Sequence, residues 1–151
     1  MLTIDEFCDK HNACADGREW ALAHCENMAD AWVKLPDDYL IWVATRPGVL
    51  TDLELRQFAL WCARQVEHLM EDERSKEALN VVERFLNGEA TQEELKAARS
   101  AADAAARSAD ARSAAADAAR FAARSAADAA WSAARSAQVK YLRENTKPNF
   151  K

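Results

Sequence analysis

The chain is predicted to be all-α, a helical bundle of short N-terminal helices plus a long Ala-rich C-terminal helix or helical hairpin. Three observations predict this class. Apolar residues recur at helical spacing before residue 91, and no alternating strand pattern appears in the sequence. Residues 92–145 contain neither Gly nor Pro and are rich in Ala, the strongest helix former. With 151 residues, the chain is long enough to bury a core.

Charge divides the chain into two parts. Residues 1–91 carry 18 acidic and 9 basic side chains, whereas residues 92–151 carry 7 acidic and 11 basic ones. We therefore predict an acidic helical module at 1–91, an Ala-rich helical segment at 92–145 that packs on it in one structural domain, and a tail at 146–151. Either the two parts attract each other, or the acidic part faces a basic protein partner.

The helices before the Ala-rich tract are predicted from their start and stop signals. Capping boxes at Thr3 and Thr51 begin two of them, and Gly88 is placed to end the last one. In chain order, the predicted segments are Thr3 to about His11, Gly17 to about Asn27 with Asp16 as cap, a turn or short helix at Ala29–Leu35, a helix begun by Pro36 and Asp37, Thr51 to about Met70, and Glu73 to about Asn87.

The Ala-rich tract begins at a third capping box, Thr91 with Glu94. One face of this helix is nearly all Ala, which lets another helix approach closely. It is a predicted oligomer face, comprising Ala115, Ala119, Ala122 and Ala126. If the tract folds back into a hairpin, the break is expected between Arg107 and Ser113. The opposite face carries a row of Arg side chains that could hold anionic small molecules.

Metal and catalytic signals are weak. Cys8, His11 and Cys14 form the one metal-like grouping, but their spacing matches no standard zinc motif, and buried thiols also serve as small core residues. No phosphate-binding loop or hydrolase motif is present. We therefore predict no enzyme, no cofactor and no bound metal. The four cysteines are expected to be reduced.

Aromatic residues among acidic ones favour a protein interface. Trp42 lies in a segment that is apolar almost all round and is predicted to be central core. Trp32 lies in a more polar segment and is expected to be exposed. The predicted partner-binding residues are Asp30, Trp32, Asp37 and Asp38.

Two classes of partner are excluded by pattern. Nucleic-acid binding calls for a basic stripe with interleaved aromatics, which neither part of the chain shows. A membrane span is excluded because Arg or Asp interrupts the Ala tract every few residues. The acidic opening Met1–Glu6 resembles no signal peptide, so a cytoplasmic protein is expected.

Several stretches resemble bacterial and phage immunity proteins with an Ala-rich C-terminal helical tract. They are HNACADGREWAL, DYLIWV, LRQFALWCAR and KEALNVVERFLNGEATQEEL, followed by the alanine repeats. The matching positions include Cys14, Trp20, Trp42 and Cys62. The resemblance implies an all-α, non-enzymatic protein that neutralises a toxin.

The predicted function is therefore binding and neutralisation of another protein, as an immunity protein or a phage-encoded inhibitor of a defence system. Two alternatives remain open. One is a structural module that forms homo-oligomers through the Ala face. The other is a sponge that binds a small molecule, such as a nucleotide signal.

Overall fold

The computed structural model of the protein describes residues 1–65, 67–113 and 134–151. Within these ranges all regular structure is helical, which confirms the all-α class. The helices are α1 (Ile4–His11), α2 (Ala15–His24), α3 (Met28–Lys34), α4 (Asp37–Ala44), α5 (Asp52–Gln65), a 3-10 turn (Glu67–Leu69), α6 (Glu73–Leu86), α7 (Gln92–Ser113) and α8 (residues 134–145).

The three predicted capping boxes are confirmed. At each one the threonine amide donates to the glutamate three residues on, with N–O distances of 2.8 Å at Thr3, 2.9 Å at Thr51 and 2.7 Å at Thr91. In return, each threonine hydroxyl accepts the glutamate's own amide at 3.2 Å. These bonds satisfy amides that an isolated helix would leave unpaired.

Two predicted boundaries are wrong. α2 begins at Ala15, because Cys14 rather than Asp16 is its N-cap, and it ends at His24. Asn12 sets this start: its backbone is left-handed (φ 53°) and ends α1 shortly before α2 begins. α5 ends at Gln65, short of the predicted Met70, and a 3-10 turn follows after residue 66.

Gly88 ends α6 as predicted. Its φ is 76°, and the Glu89 amide donates to the Arg84 carbonyl at 2.7 Å while the Gly88 amide donates to the Phe85 carbonyl at 3.1 Å. This paired pattern is a Schellman motif, which satisfies carbonyls that the helix end leaves unpaired.

The contacts divide the chain into two compact units. Unit 1 comprises Met1–Leu55 with Trp131–Lys151, and unit 2 comprises Arg56–Ala130. These boundaries differ from the predicted 1–91, 92–145 and 146–151 scheme, which stays a prediction. Among the described residues, the buried apolar core lies in unit 1 except for Val81.

The unit 1 core is closed by the end of the chain. Val139 and Leu142 of α8 are buried, and so is Phe150 in the segment predicted as a tail. The Phe150 ring lies 5.9 Å from that of Phe7 and 6.1 Å from that of Trp32, between centroids. Residues 146–151 are therefore part of the unit 1 fold.

Main-chain hydrogen bonds hold this last segment in place. The Leu2 amide donates to the Phe150 carbonyl at 2.7 Å, and the Asn149 amide donates to the Val49 carbonyl at 2.8 Å. The Lys147 amide donates to Glu54 Oε1 at 2.9 Å. The segment thus bonds the beginning of the chain, the α4–α5 connection and the first turn of α5.

In unit 2, α6 packs against α7. Arg64 joins α5 to α6, since its Nη2 donates to Glu83 Oε2 at 2.7 Å and to Asn80 Oδ1 at 3.0 Å. No helix in the described ranges is both long enough and apolar enough to cross a membrane.

The Ala-rich tract is described only at its two ends. Because α7 is helical to Ser113, a hairpin break between Arg107 and Ser113 is contradicted. The remainder of the predicted long helix up to residue 133 lies outside the described residues. So does the predicted oligomer face, which comprises Ala115, Ala119, Ala122 and Ala126.

Candidate binding cavity in unit 1

The residues predicted to bind a partner do not form one open surface. Trp32 is only 6% exposed, so the expectation of an exposed tryptophan is wrong. Asp30 pairs with Lys34 at 2.7 Å and accepts the Glu26 amide at 3.0 Å. The hydrogen bond from Lys34 and then that from the Glu26 amide lower the pKa of Asp30. Asp30 therefore stabilises α3 locally.

Asp37 and Asp38 face α8. The Ser136 hydroxyl donates to Asp37 Oδ2 at 2.7 Å, and Arg135 Nε lies 3.5 Å from Asp38 Oδ1. These two contacts attach the start of α4 to α8. Attraction between the two oppositely charged parts of the chain stays a prediction.

Arg143 also attaches α8 to the rest of unit 1, through the end of α3. Its Nε donates to the Trp32 carbonyl at 3.1 Å, and its Nη2 donates to the Leu35 carbonyl at 2.9 Å. These carbonyls lie at the C-terminal end of α3, where cationic donors are favoured by the helix dipole. Sequence reasoning missed this role because Arg143 is more than a hundred residues from its acceptors.

The predicted metal grouping is not assembled as a site. No group of three or more His, Cys, Asp or Glu that could hold a metal occurs in the parts of the chain that the structure describes. His11 packs against Phe7 with ring centroids 4.5 Å apart and the rings tilted by 48°, and the burial of His11 lowers its pKa. Cys8 is buried and Cys14 is exposed, and all four cysteines are free thiols.

A cavity of about 420 Å³ lies among the first four helices. Its lining is mostly apolar, and its volume is in the range typical of small-molecule sites. The lining residues are Ile4, Phe7, Cys8, Asn12, Ala13, Cys14, Gly17, Ala21, Met28, Ala31, Leu35, Asp38, Tyr39, Trp42 and Val43.

Small residues on α2 and α3 create this space. Ala21 and Ala31 are buried and occupy positions that a larger side chain would fill. Gly17 instead allows close approach: a methyl group on its Cα would lie 3.2 Å from Cys14 Sγ and 3.6 Å from Tyr39 Cδ1. Gly17 costs helix stability in comparison with Ala, and its lack of a β-carbon lets Cys14 and Tyr39 of the lining pack against α2.

Three aromatic side chains belong to the lining. Phe7 and Trp42 meet edge to face, with centroids 6.5 Å apart and an interplanar angle of 83°. Trp42 is half-buried rather than central core, because it lines the cavity while Arg46 lies 4.6 Å from its ring centroid. Tyr39 adds a third ring.

Polar groups of the lining lie where it meets solvent. Asn12, Cys14 and Asp38 are exposed, so they mark the opening of the cavity. Among the described residues of the lining, Asp38 alone has a side chain that is ordinarily charged at neutral pH. Burial raises the pKa of Cys8, which keeps that thiol protonated inside the cavity.

Sequence reasoning named four of the lining residues for other roles and missed the cavity itself. Cys8 and Cys14 belonged to a weak metal-like grouping, Asp38 was predicted as a partner contact and Trp42 as central core. The usable signal was a glycine inside a helix that also carries Ala21, in a chain with several large aromatics. The packing of four helices then decided which small residues would face one another.

A comparison with protein-family models, curated proteins and solved structures finds no match to the chain. The resemblance to immunity proteins therefore stays a prediction.

Proposed function

We propose that the protein is a non-enzymatic binding protein whose unit 1 cavity receives a small ligand with an apolar body. The observation that carries this proposal is the cavity of about 420 Å³ among α1 to α4, with its mostly apolar, aromatic-rich lining. An apolar lining supplies contact area, while a few polar groups at the opening orient the ligand. Binding of a small molecule was the second alternative from the sequence, although there it was assigned to the Arg row of the long helix.

The test uses a neutral probe and a substitution that fills the cavity. Phenethyl alcohol is titrated by calorimetry into the wild-type protein, Gly17→Leu and the matched control Gly17→Ala. The leucine side chain would extend past the β-carbon position towards Tyr39, whereas the alanine adds a single methyl group. We expect the wild type and Gly17→Ala to bind the probe and Gly17→Leu to lose binding, with helical content unchanged by circular dichroism. Equal binding by a folded Gly17→Leu would reject the cavity as the site.

A second candidate function is neutralisation of another protein, as an immunity protein or phage-encoded inhibitor. It is favoured by the acidity of residues 1–55, which carry eleven acidic and four basic side chains, and by exposed apolar side chains on unit 1. Val33 of α3 is 64% exposed and Leu22 of α2 is 49% exposed. Exposed apolar residues surrounded by charge are common in interfaces.

This candidate is tested at Val33 rather than at Asp37 and Asp38, because charge reversal there would break contacts with α8. Immobilised wild-type protein and Val33→Asp are compared for the proteins they retain from a lysate of the source organism. A partner retained by the wild type and lost with Val33→Asp is expected, while Ala15→Asp, at an exposed position in the first turn of α2, serves as the control. Identical sets of retained proteins would remove this surface from consideration. Assembly through Ala115, Ala119, Ala122 and Ala126 stays a separate prediction.

A further inference from the structure

We propose that the ligand of the unit 1 cavity is an apolar amine: an aromatic or aliphatic body that enters the cavity and a protonated amino group that meets Asp38 at the opening. This inference rests on the proposed function, since it names the chemical class of ligand for the same cavity.

The charge at the opening of the cavity favours a cationic ligand. Asp38 contributes the one formal charge among the described residues of the cavity lining. Its side chain is 67% exposed, so its carboxylate is accessible at the opening. Unit 1, which comprises Met1–Leu55 and Trp131–Lys151, carries twelve acidic and nine basic side chains, a net excess of three acidic ones. A carboxylate at the opening attracts cations and disfavours carboxylates or phosphates.

The aromatic lining of the cavity also suits an organic amine. Phe7 and Trp42 present two rings at nearly a right angle, and Tyr39 follows Asp38 directly in α4. The electron-rich faces of aromatic rings attract organic cations, and aromatic side chains are the usual means of ammonium recognition. Arg46 already lies 4.6 Å from the Trp42 ring centroid, so the rings mainly supply apolar surface for the body of the ligand, while Asp38 supplies the contact for its charged head.

The contact between Asp38 and Arg135 leaves the Asp38 carboxylate able to bind the ammonium group of a ligand. At 3.5 Å, Arg135 Nε is beyond the usual length of a strong charge-assisted hydrogen bond to the Asp38 carboxylate. The side chains of this pair are 31% exposed at Arg135 and 67% exposed at Asp38, so the ion pair is partly screened by solvent and an ammonium group can share the carboxylate. Asp37, in contrast, is engaged at 2.7 Å by the Ser136 hydroxyl and is not among the described lining residues.

The experiment compares three probes that share a phenylethyl body: phenethylamine, phenethyl alcohol and hydrocinnamate. Each is titrated by calorimetry at neutral pH into the full chain, Asp38→Asn and Asp37→Asn. Asp37→Asn is the matched control, because it removes a neighbouring charge of the same sign and keeps an acceptor for Ser136. Each variant removes one negative charge from the protein, so a difference in amine affinity between the two variants reports direct contact of the ligand with Asp38.

We expect the wild type to bind the amine most tightly, the alcohol next and the carboxylate most weakly. Asp38→Asn should weaken amine binding by roughly fivefold, the size expected for one partly exposed ion pair, and leave alcohol binding unchanged. Asp37→Asn should change neither the order of the three affinities nor the affinity for the amine by more than a small amount.

Two results separate the two proposals. If the alcohol binds and is lost with Gly17→Leu, but the amine has no advantage or Asp38→Asn and Asp37→Asn behave alike, the amine proposal is overturned and the cavity site stands. If none of the three probes binds the wild type or Gly17→Ala, both proposals are overturned.

Discussion

Single residues set the ends of helices in this chain through their backbone conformation. Asn12 has a φ of 53° and Gly88 has a φ of 76°, and each follows a helix. Left-handed geometry is costly for most residues with a β-carbon, and Asn and Gly tolerate it best, so these two positions are suited to stop helices. Asn12 also lines the cavity, so the end of α1 positions one of its polar groups.

Gly88→Ala tests the conformational role alone. No atom lies within 4 Å of a β-carbon built on Gly88, so the substitution adds strain without a steric clash. We expect a loss of about 1 kcal/mol in the free energy of unfolding, measured by urea denaturation. Asn87→Ala is the control, because Asn87 has right-handed backbone (φ −86°) and should change little. A similar loss in both variants would contradict the role of positive φ.

At the scale of elements, capping boxes position the helices and make their stability depend on pH. Burial alone would raise the pKa of Glu54, but hydrogen bonds from the Lys147 and Thr51 amides and the Thr51 hydroxyl lower it below its usual value of 4.5. Because the folded state stabilises the charged form of Glu54 more than the unfolded chain does, this contribution to stability is fully present at pH values above 4.5. It is lost as the pH falls through the lowered pKa.

Glu54→Gln is expected to lower the melting temperature at neutral pH, because the amide is a weaker acceptor than the carboxylate. The difference from wild type should shrink as the pH is lowered below about 4.5. Thermal unfolding followed by circular dichroism over a pH series measures this effect. Glu89→Gln, at an exposed position, supplies the control. A difference that stays constant with pH would show that charge on Glu54 has no part in the cap.

At the scale of the molecule, unit 1 depends on contacts between the two ends of the chain. Phe150 is 6% exposed and packs against Phe7 and Trp32. The chain end therefore completes a core whose other described members come mostly from the first fifty residues. This contact also supports the cavity, since Phe7 lies in both.

Phe150→Ala should reduce the free energy of unfolding by about 3–5 kcal/mol, because it removes a buried aromatic ring and leaves a hole. Denaturant unfolding of the full chain measures the change, and Lys151→Ala, at an exposed neighbour, should have little effect. Phe150→Leu, which keeps part of the volume, is expected to fall between them. If Phe150→Ala unfolds no more easily than Lys151→Ala, the packing of the last segment contributes nothing to unit 1.

Much of the local structure could be predicted from the sequence, and little of the candidate site could. The boxes at Thr3, Thr51 and Thr91 and the stop at Gly88 depend on hydrogen bonds between residues a few positions apart, which a short window of sequence contains. Trp32 was predicted to be exposed because its neighbours in the chain are polar. Its burial involves Phe150, which lies far along the sequence.

The sequence by itself determined the all-α class and most helix limits, because helix propensity, capping and left-handed stops act within one or two turns. The tertiary structure alone decided the burial of Trp32 and Phe150, the attachment of α8 through Arg143, and the cavity beside Gly17. These features join residues that are distant in the chain, up to 111 positions apart between Arg143 and Trp32. Such pairings depend on how helices pack in three dimensions, and the pattern along any single helix does not specify its neighbour.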